Sequence, residues 1–264
     1  MTTSSPRLLD VLVATHGRDG LDRVAAMQLP VTRGVHYIVT WQASADAEIP
    51  PSLQREDMEI HRLDSIGLSH NRNAGIALSQ APLCLVADND LRYRPGAFET
   101  VIKAFDDNPD IVIATFRHNG PGNRTYPATE VDFTKKMPKW YCPCSFETAF
   151  RRDGIGDLRF NTKFGVGTDI PTGEDSIFIL DCRQRGFRCR FFPVTIVDHP
   201  GLSTGYRAIT HPGVAFGEGA YIRRAYGLAG YPRIPLFAYR AWRSRRMPFW
   251  WGLRHLTAGF FSRL

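Results

Sequence analysis

No stretch of these 264 residues approaches the roughly 20 consecutive apolar side chains that a bilayer-spanning helix needs. The opening, MTTSSPRLLD, has no basic region followed by a long apolar one, so no secretory leader is expected. Internal repeats and low-complexity segments are also missing, which argues against a repeat architecture. Cysteine is scarce. The five residues Cys84, Cys142, Cys144, Cys182 and Cys189 are an odd set in a chain too large to need staples, and they read as reduced cytoplasmic thiols. CPC at 142–144 would suit a metal, but no partner pair at zinc spacing accompanies it, and ordinary packing is the simpler reading.

Acidic residues are missing from one whole region. Beyond Glu218 there is no Asp or Glu, whereas Arg223, Arg224, Arg233, Arg240, Arg243, Arg245, Arg246, Arg254 and Arg263 contribute nine positive charges. Of 33 basic side chains, 24 therefore remain for residues 1–218, against all 26 acidic ones. The net charge of +7 thus comes from a tail of +9 on a body of −2. Such an asymmetry points to an anionic surface met by the tail.

What is present begins with an apolar content of 43%, enough for a substantial core in one sizeable α/β domain or two small ones. LLDVLVAT (8–15), VHYIVTW (35–41), MEIHRL (58–63), APLCLVA (81–87) and DIVIATF (110–116) read as strands. Helices are expected near Leu21, from an N-cap at Ser69, and after Pro95, where Phe98, Val101, Ile102 and Phe105 share one face. The alternation means parallel crossovers and an open α/β sheet. The second half is less regular. CSFETAFRRDG reads as a strand with a turn behind it, FNTKFGVGTDIPTG as a glycine-rich loop, EDSIFILDCRQRG as a helix ended by Gly186, and FRCRFFPVTIVDH as a strand.

The fourth strand finishes abruptly in Asp88, Asn89 and Asp90. Asp and Asn stop strands by bonding their own backbone, so a plain turn is one reading. Paired oxygen ligands for a hard divalent cation are the other. In open α/β sheets ligands bind beyond the carboxyl ends of the strands. Asp88–Asp90 sit at one such end and THGR (15–18) at another, which favours the binding edge.

Four pieces in this order and spacing resemble the family 2 glycosyltransferases: VLVATHGR on the first strand, GLSHNRNAGI (67–76), LVADND (85–90) and GEDSIFILDC (173–182). The resemblance covers roughly residues 8–200. It implies the GT-A fold, an open mixed sheet flanked by helices that binds a nucleotide sugar, and an inverting transfer. By that resemblance Thr15 and Arg18, Gln42 and Arg72 lie on the nucleotide side. Asp88 would meet the ribose, with Asn89 shaping the turn beside it. Asp90 would hold Mn2+ or Mg2+ on the diphosphate, and His199, in IVDHPGLSTG, would complete the metal shell unless it is a structural histidine. His16 and His70 read as polar loop and helix-start residues. The chemistry agrees, since a sugar diphosphate leaving group develops charge that a clamped divalent ion stabilises. In GED the resemblance makes Asp175 the base that takes the acceptor hydroxyl's proton and gives Glu174 the lining of the acceptor site. The same acids would also suit a helix N-terminus, whose dipole stabilises them and weakens them as bases.

Two departures matter. The acids that read the base in many relatives are replaced by VTWQAS, where Gln42 would hydrogen-bond a uracil edge. The glutamine–arginine–tryptophan signature of processive polysaccharide synthases is missing, which favours single additions.

The domain organisation expected is a catalytic domain over 1–218, with a nucleotide-sugar half to about 118 and an acceptor half over about 119–218, followed by a segment over 219–264. That segment interleaves its arginines with Tyr, Phe and Trp, and Phe249, Leu253, Leu256 and Phe260 fall on one helical face. The pattern suits an amphipathic segment on an anionic membrane. A helical hairpin packed on the catalytic domain is the structural alternative, and nucleic-acid binding lacks any accompanying fold signature. The whole reads as a metal-dependent hexosyltransferase at the inner face of the cell membrane. UDP-galactose or UDP-glucose is the donor by family prevalence, and a lipid-linked or surface glycan the acceptor. A nucleotidyltransferase would want a better triphosphate loop than THGRDG and gives GED no task. A non-enzymatic membrane-binding protein would need neither Asp90 nor Asp175.

Overall fold

The computed structural model describes residues 6–44, 46–121, 125–138, 141–201 and 211–262; the opening residues 1–5, residues 202–205 of IVDHPGLSTG, and Arg263 lie outside the described residues. Two compact units are formed. One comprises residues 1–66, 70–159 and 181–201, the other 67–69, 160–180 and 202–264.

The first unit carries the sheet. Its strands are β1 (Leu9–His16), β2 (Val35–Gln42), β3 (Met58–Leu63), β4 (Leu83–Ala87), β5 (Arg92–Tyr93), β6 (Ile113–Asn119), β7 (Val131–Asp132), β8 (Thr148–Arg151) and β9 (Cys189–Asp198). They run in the order β3-β2-β1-β4-β8-β6-β9-β5, with β7 paired to β9. β1, β2, β3 and β4 are mutually parallel, as the alternation of strands and helices requires. β8 then enters antiparallel to both β4 and β6, which makes the sheet mixed. The continuous apolar runs are explained by burial: β4 is buried at every position and β1 at all but His16. Helices α1 (Gly20–Ala26), α2 (Leu68–Leu78), α3 (Ala97–Asp106) and α4 (Arg152–Ile155) join these strands. On α3, Phe98, Val101 and Phe105 are buried in one apolar cluster with Val11, Tyr37, Trp41 and Leu85 of the sheet, and Ile102 packs partly buried against that cluster. One charge interrupts β1. Asp10 is fully buried, yet its carboxylate accepts from the backbone N–H groups of Gln80 (2.7 Å) and Ala81 (2.9 Å) and pairs with Arg7 at 2.5 Å. A buried carboxylate is tolerated when its oxygens are bonded in this way, and here it ties the loop before β4 to β1.

Three local expectations change. Ser69 does not cap α2; it lies inside the helix and its hydroxyl donates to the Phe164 carbonyl at 2.6 Å. The fifth expected strand starts at Ile113 and runs on to Asn119. CSFET opens with a tight turn at Ser145–Glu147 before β8 begins.

The second unit contains α6 (Pro212–Tyr226), α7 (Arg233–Arg243) and α8 (Phe249–Phe260), and the first residues of α5 (Glu174–Gln184). Phe164, Ile170, Ile177 and Ala220 form one buried cluster and Ile222, Ile234, Ala238, Leu256 and Phe260 another. α6 and α8 cross at glycines: a Cβ on Gly219 would collide with the Leu256 carbonyl, and one on Gly259 with the Phe216 carbonyl. The expected outward stripe of α8 is therefore turned inward, with Leu256 and Phe260 fully buried and Phe249 and Leu253 packed against them. A neighbouring helix, not solvent, covers that face. The aromatic surface is elsewhere: on α7, where Leu236, Phe237, Tyr239 and Trp242 are exposed, and at Trp250 of α8.

Candidate active site

The carboxyl ends of β1, β2 and β4 lie side by side because β1 pairs in register with both neighbours, Thr15 opposite Trp41 and His16 opposite Gln42. Six of the expected residues meet at this edge in three pairs, Thr15 with Asn89, Arg72 with Asp88 and Asp90 with His199. At the end of β1, the Thr15 hydroxyl donates to the Gly20 carbonyl at 3.0 Å and accepts from Asn89 Nδ2 at 2.7 Å. Gly20 permits this approach, since a Cβ would stand 2.8 Å from Thr15 Oγ1 and 3.0 Å from Trp41 Nε1. This bond from Asn89 ties the DND segment to the first strand.

Beside it, Arg72 of α2 donates through Nη2 to Asp88 Oδ1 at 3.0 Å. Arg18 is exposed in the loop after β1. Gln42 is buried at the end of β2 and donates through Nε2 to Ser65 Oγ at 3.1 Å.

Asp90 is the most exposed of the three DND residues and lies 3.5 Å, Oδ2 to Nε2, from His199. His199 follows β9, whose pairing with β6 brings it to this edge; its backbone N–H donates to the Asn119 carbonyl at 2.8 Å. Gly120 is required opposite, because a Cβ there would come 2.5 Å from the His199 carbonyl oxygen. Although nearly half-exposed, the Asp90 carboxyl is pushed above the usual range by partial desolvation, and the Asp88 charge adds to this against the pull of His199. Gly201 passes the pair, and a Cβ there would sit 3.5 Å from His199 Cε1 and 3.6 Å from Asp90 Oδ2. An imidazole nitrogen and a carboxylate oxygen at this separation, beside a second carboxylate, fit a divalent ion of the Mn2+ or Mg2+ type.

One further group of metal-ligand types meets among the described residues: His118, Cys144 and Glu147, with ligand atoms all within 4.8 Å of one another. Here the spacing favours hydrogen bonds. His118 Nδ1 and Glu147 Oε1 are 2.6 Å apart, shorter than the roughly 3.3 Å ligand separation that tetrahedral bonds of about 2.0–2.1 Å imply. The Tyr126 hydroxyl joins both atoms.

In the second unit, Glu174 and Asp175 open α5, Glu174 buried and Asp175 half-buried. Gly173, at φ +92°, and Gly165, at φ +109°, shape the loop before them. A Cβ on Gly165 would approach Glu174 Cγ to 3.4 Å and Ser69 Oγ to 3.2 Å. The Leu68 N–H donates to the Val166 carbonyl at 2.9 Å, so the start of α2 holds the glycine-rich loop.

A mixed α/β sheet with two carboxylates at its carboxyl edge defines the class, and the comparisons agree with it. Residues 48–164 match the model of glycosyl transferase family 2. No curated protein matches it. Among solved structures, the fold is similar to residues 1–349 of S. aureus TarS in complex with UDP-GlcNAc, with a TM-score of 0.56 at 16% identity over 88% of this chain and 71% of that one. The TarS complex with UDP gives 0.53 at 15% over 89% and 72%. Mannosyltransferase PcManGT from Pyrobaculum calidifontis, in complex with GDP-Man and Mn2+, gives 0.60 at 15% over 99% and 77%. At such identities the likeness is one of fold, and the fold is GT-A.

Sequence reading missed the residues behind His199: His118, Tyr126, Phe146 and Glu147. FRHNG and CSFET carry no local mark of this, and only the pairing of β6 with β8 joins them.

Proposed function

We propose that the chain is an inverting, metal-dependent glycosyltransferase that moves a hexose from a nucleoside diphosphate donor to a glycan acceptor. The observation that carries this reading is the convergence of Asp90 with His199 and of Asp88 with Arg72 at one sheet edge. Asp90 and His199 would hold the cation, which when bound supplies positive charge to the diphosphate. Asp88 would take the ribose hydroxyls as a hydrogen-bond acceptor, with its orientation fixed by Arg72. Thr15, Arg18 and Gln42 would border the nucleotide. In the single displacement, the acceptor oxygen forms its bond to the anomeric carbon as the bond from that carbon to the phosphate oxygen breaks. The acceptor proton goes to Asp175 and the electron pair leaves with the diphosphate. Glu174 would line the acceptor.

UDP-galactose and UDP-glucose are the first donors to test; UDP-GlcNAc and GDP-Man join them because they are bound by proteins of this fold. We place the enzyme on the inner face of the cell membrane, using a lipid-linked or surface-glycan acceptor. That part rests on the exposed aromatic and arginine surface of α7 and Trp250. No described helix is long and apolar enough to cross a membrane. Donor hydrolysis measured for the four nucleotide sugars, with Mn2+ and with EDTA, tests the catalytic reading. Turnover of one donor only with metal is expected. Turnover of none, with no Mn2+-dependent binding of UDP or GDP, would refute it.

A further inference from the structure

His199 is held from behind by a construction that the transfer chemistry leaves unassigned. The Phe146 ring lies parallel to the His199 imidazole, 4° between planes and 5.1 Å between centroids. His118 stands edge-on to both rings, 5.1 Å from Phe146 and 6.2 Å from His199. His118 is in turn fixed by Glu147, whose Oε1 meets its Nδ1 at 2.6 Å, and by the Tyr126 hydroxyl at 2.9 Å. Glu147 is fully buried, and its second oxygen accepts from the Cys144 N–H at 2.7 Å. Tyr126 also donates to Glu147, and its ring stacks on Phe191.

We infer that the turn Ser145–Glu147 is the positioning element of the metal-side histidine: Phe146 sets the plane of the His199 ring and Glu147, through His118, locks that plane. The inference rests on the metal role proposed for His199 and concerns how that ligand is presented. Two adjacent side chains of one tight turn carry out both tasks, so the turn acts as a unit. Filling the space behind an imidazole needs only apolar volume. A fully buried carboxylate is an expensive way to fill it unless its bonds impose a geometry, and Glu147 is bonded on both oxygens. The backbone of His199 is fixed independently through Asn119, so what remains free is rotation of the ring. Phe146 and His118 close two sides of that rotation and leave Nε2 toward Asp90. Outer partners that orient a metal ligand are worth about 10–100-fold in metal affinity, and that is the scale expected here.

The experiment measures Mn2+ binding to the full chain by electron paramagnetic resonance, with Mn2+ alone and with UDP present. Phe146→Leu keeps most of the volume and removes the flat face; Glu147→Gln and Tyr126→Phe loosen His118. Phe133→Leu, in a fully buried ring set edge-on to Tyr141, controls for general loss of stability. Phe146→Leu and Glu147→Gln should weaken Mn2+ about 10-fold or more, and Phe133→Leu by no more than about threefold. In the metal-free protein, proton resonances of the His199 ring should lose their ring-current shift in Phe146→Leu and broaden in Tyr126→Phe. Should Glu147→Gln fail to fold, Phe146→Leu and Tyr126→Phe decide. Wild-type Mn2+ affinity and sharp His199 resonances in those variants, with affinity lost in His199→Ala, would overturn the inference and leave the metal site standing. Unchanged affinity in His199→Ala would instead remove the metal role on which it rests.

Discussion

Arg72 reaches Asp88 at 3.0 Å with its own side chain only 2% exposed, while that of Asp88 is 30% exposed. A buried guanidinium thus presents a half-open carboxylate at the sheet edge. Asp88→Asn would remove the ion pair that this carboxylate makes with the buried guanidinium. A loss of about 1–3 kcal/mol in urea unfolding is expected, below the range for fully buried pairs because water reaches Asp88. Calorimetry should also register weaker UDP binding. Unchanged stability together with unchanged UDP affinity would mean the pair is neither structural nor functional.

Asp175→Asn separates chemistry from binding. Donor affinity should stay nearly intact while turnover falls about 100-fold or more, the scale of a lost general base. Glu174, the more buried of the two, should respond to Glu174→Gln with a raised acceptor KM. If Asp175→Asn turns over normally and Glu174→Gln is dead, the base is Glu174.

The thiols give a pH prediction. Burial pushes Cys84 and Cys189 up to about 12 and Cys182 well above the ordinary thiol value, whereas Cys142 is exposed. A raised thiol pKa keeps the neutral form, so at pH 8 about one in ten thousand molecules carries a Cys84 or Cys189 thiolate. Titration with a disulfide reagent at pH 8 should count Cys142 quickly, Cys144 more slowly, and the remaining three only in denaturant. Rapid reaction of four or five thiols in the folded protein would contradict this packing.

Membrane attachment is expected through α7 and Trp250. Trp242 and Trp250 are 50% and 77% exposed, among exposed Arg240, Arg243, Arg245 and Arg246. Flotation with anionic vesicles should weaken as salt rises and screening shortens the reach of these charges. Replacing both tryptophans with Ala should remove the salt-resistant part, and replacing the four arginines with Gln the preference for anionic lipid. Truncation after Glu218 is the wrong test, since it cuts α6 and removes Ala220 and Ile222 from two buried clusters. A folded protein that floats with neither neutral nor anionic lipid would make the surface something other than a membrane face.

How far these features were legible depends on whether their cause is local. β1, β2 and β4 are largely apolar runs between turn residues and β3 alternates, and Asp88–Asp90 announce themselves because such a run ends on them. β5 is two residues long and exists only because β9, a hundred residues later, pairs with it. Ser69 carries a local capping signal, but the Phe164 carbonyl claims its hydroxyl. The periodicity of α8 gives an apolar face without saying what covers it, and the glycine crossing with α6 supplies the answer. Likewise His118 and Glu147, far apart in the chain, meet through the β6–β8 pairing.

The central claim is that the DND turn anchors a cation for a nucleoside diphosphate. Calorimetry of UDP and GDP binding in Mn2+ and in EDTA, for the wild type and Asp90→Ala, tests it most directly. Mn2+ should tighten binding of one nucleotide to the wild type by tenfold or more, about 1.4 kcal/mol, and Asp90→Ala should lose this increment while its EDTA affinity and unfolding midpoint stay unchanged. A full Mn2+ increment in Asp90→Ala would contradict it and return Asp88–Asp90 to the role of a turn.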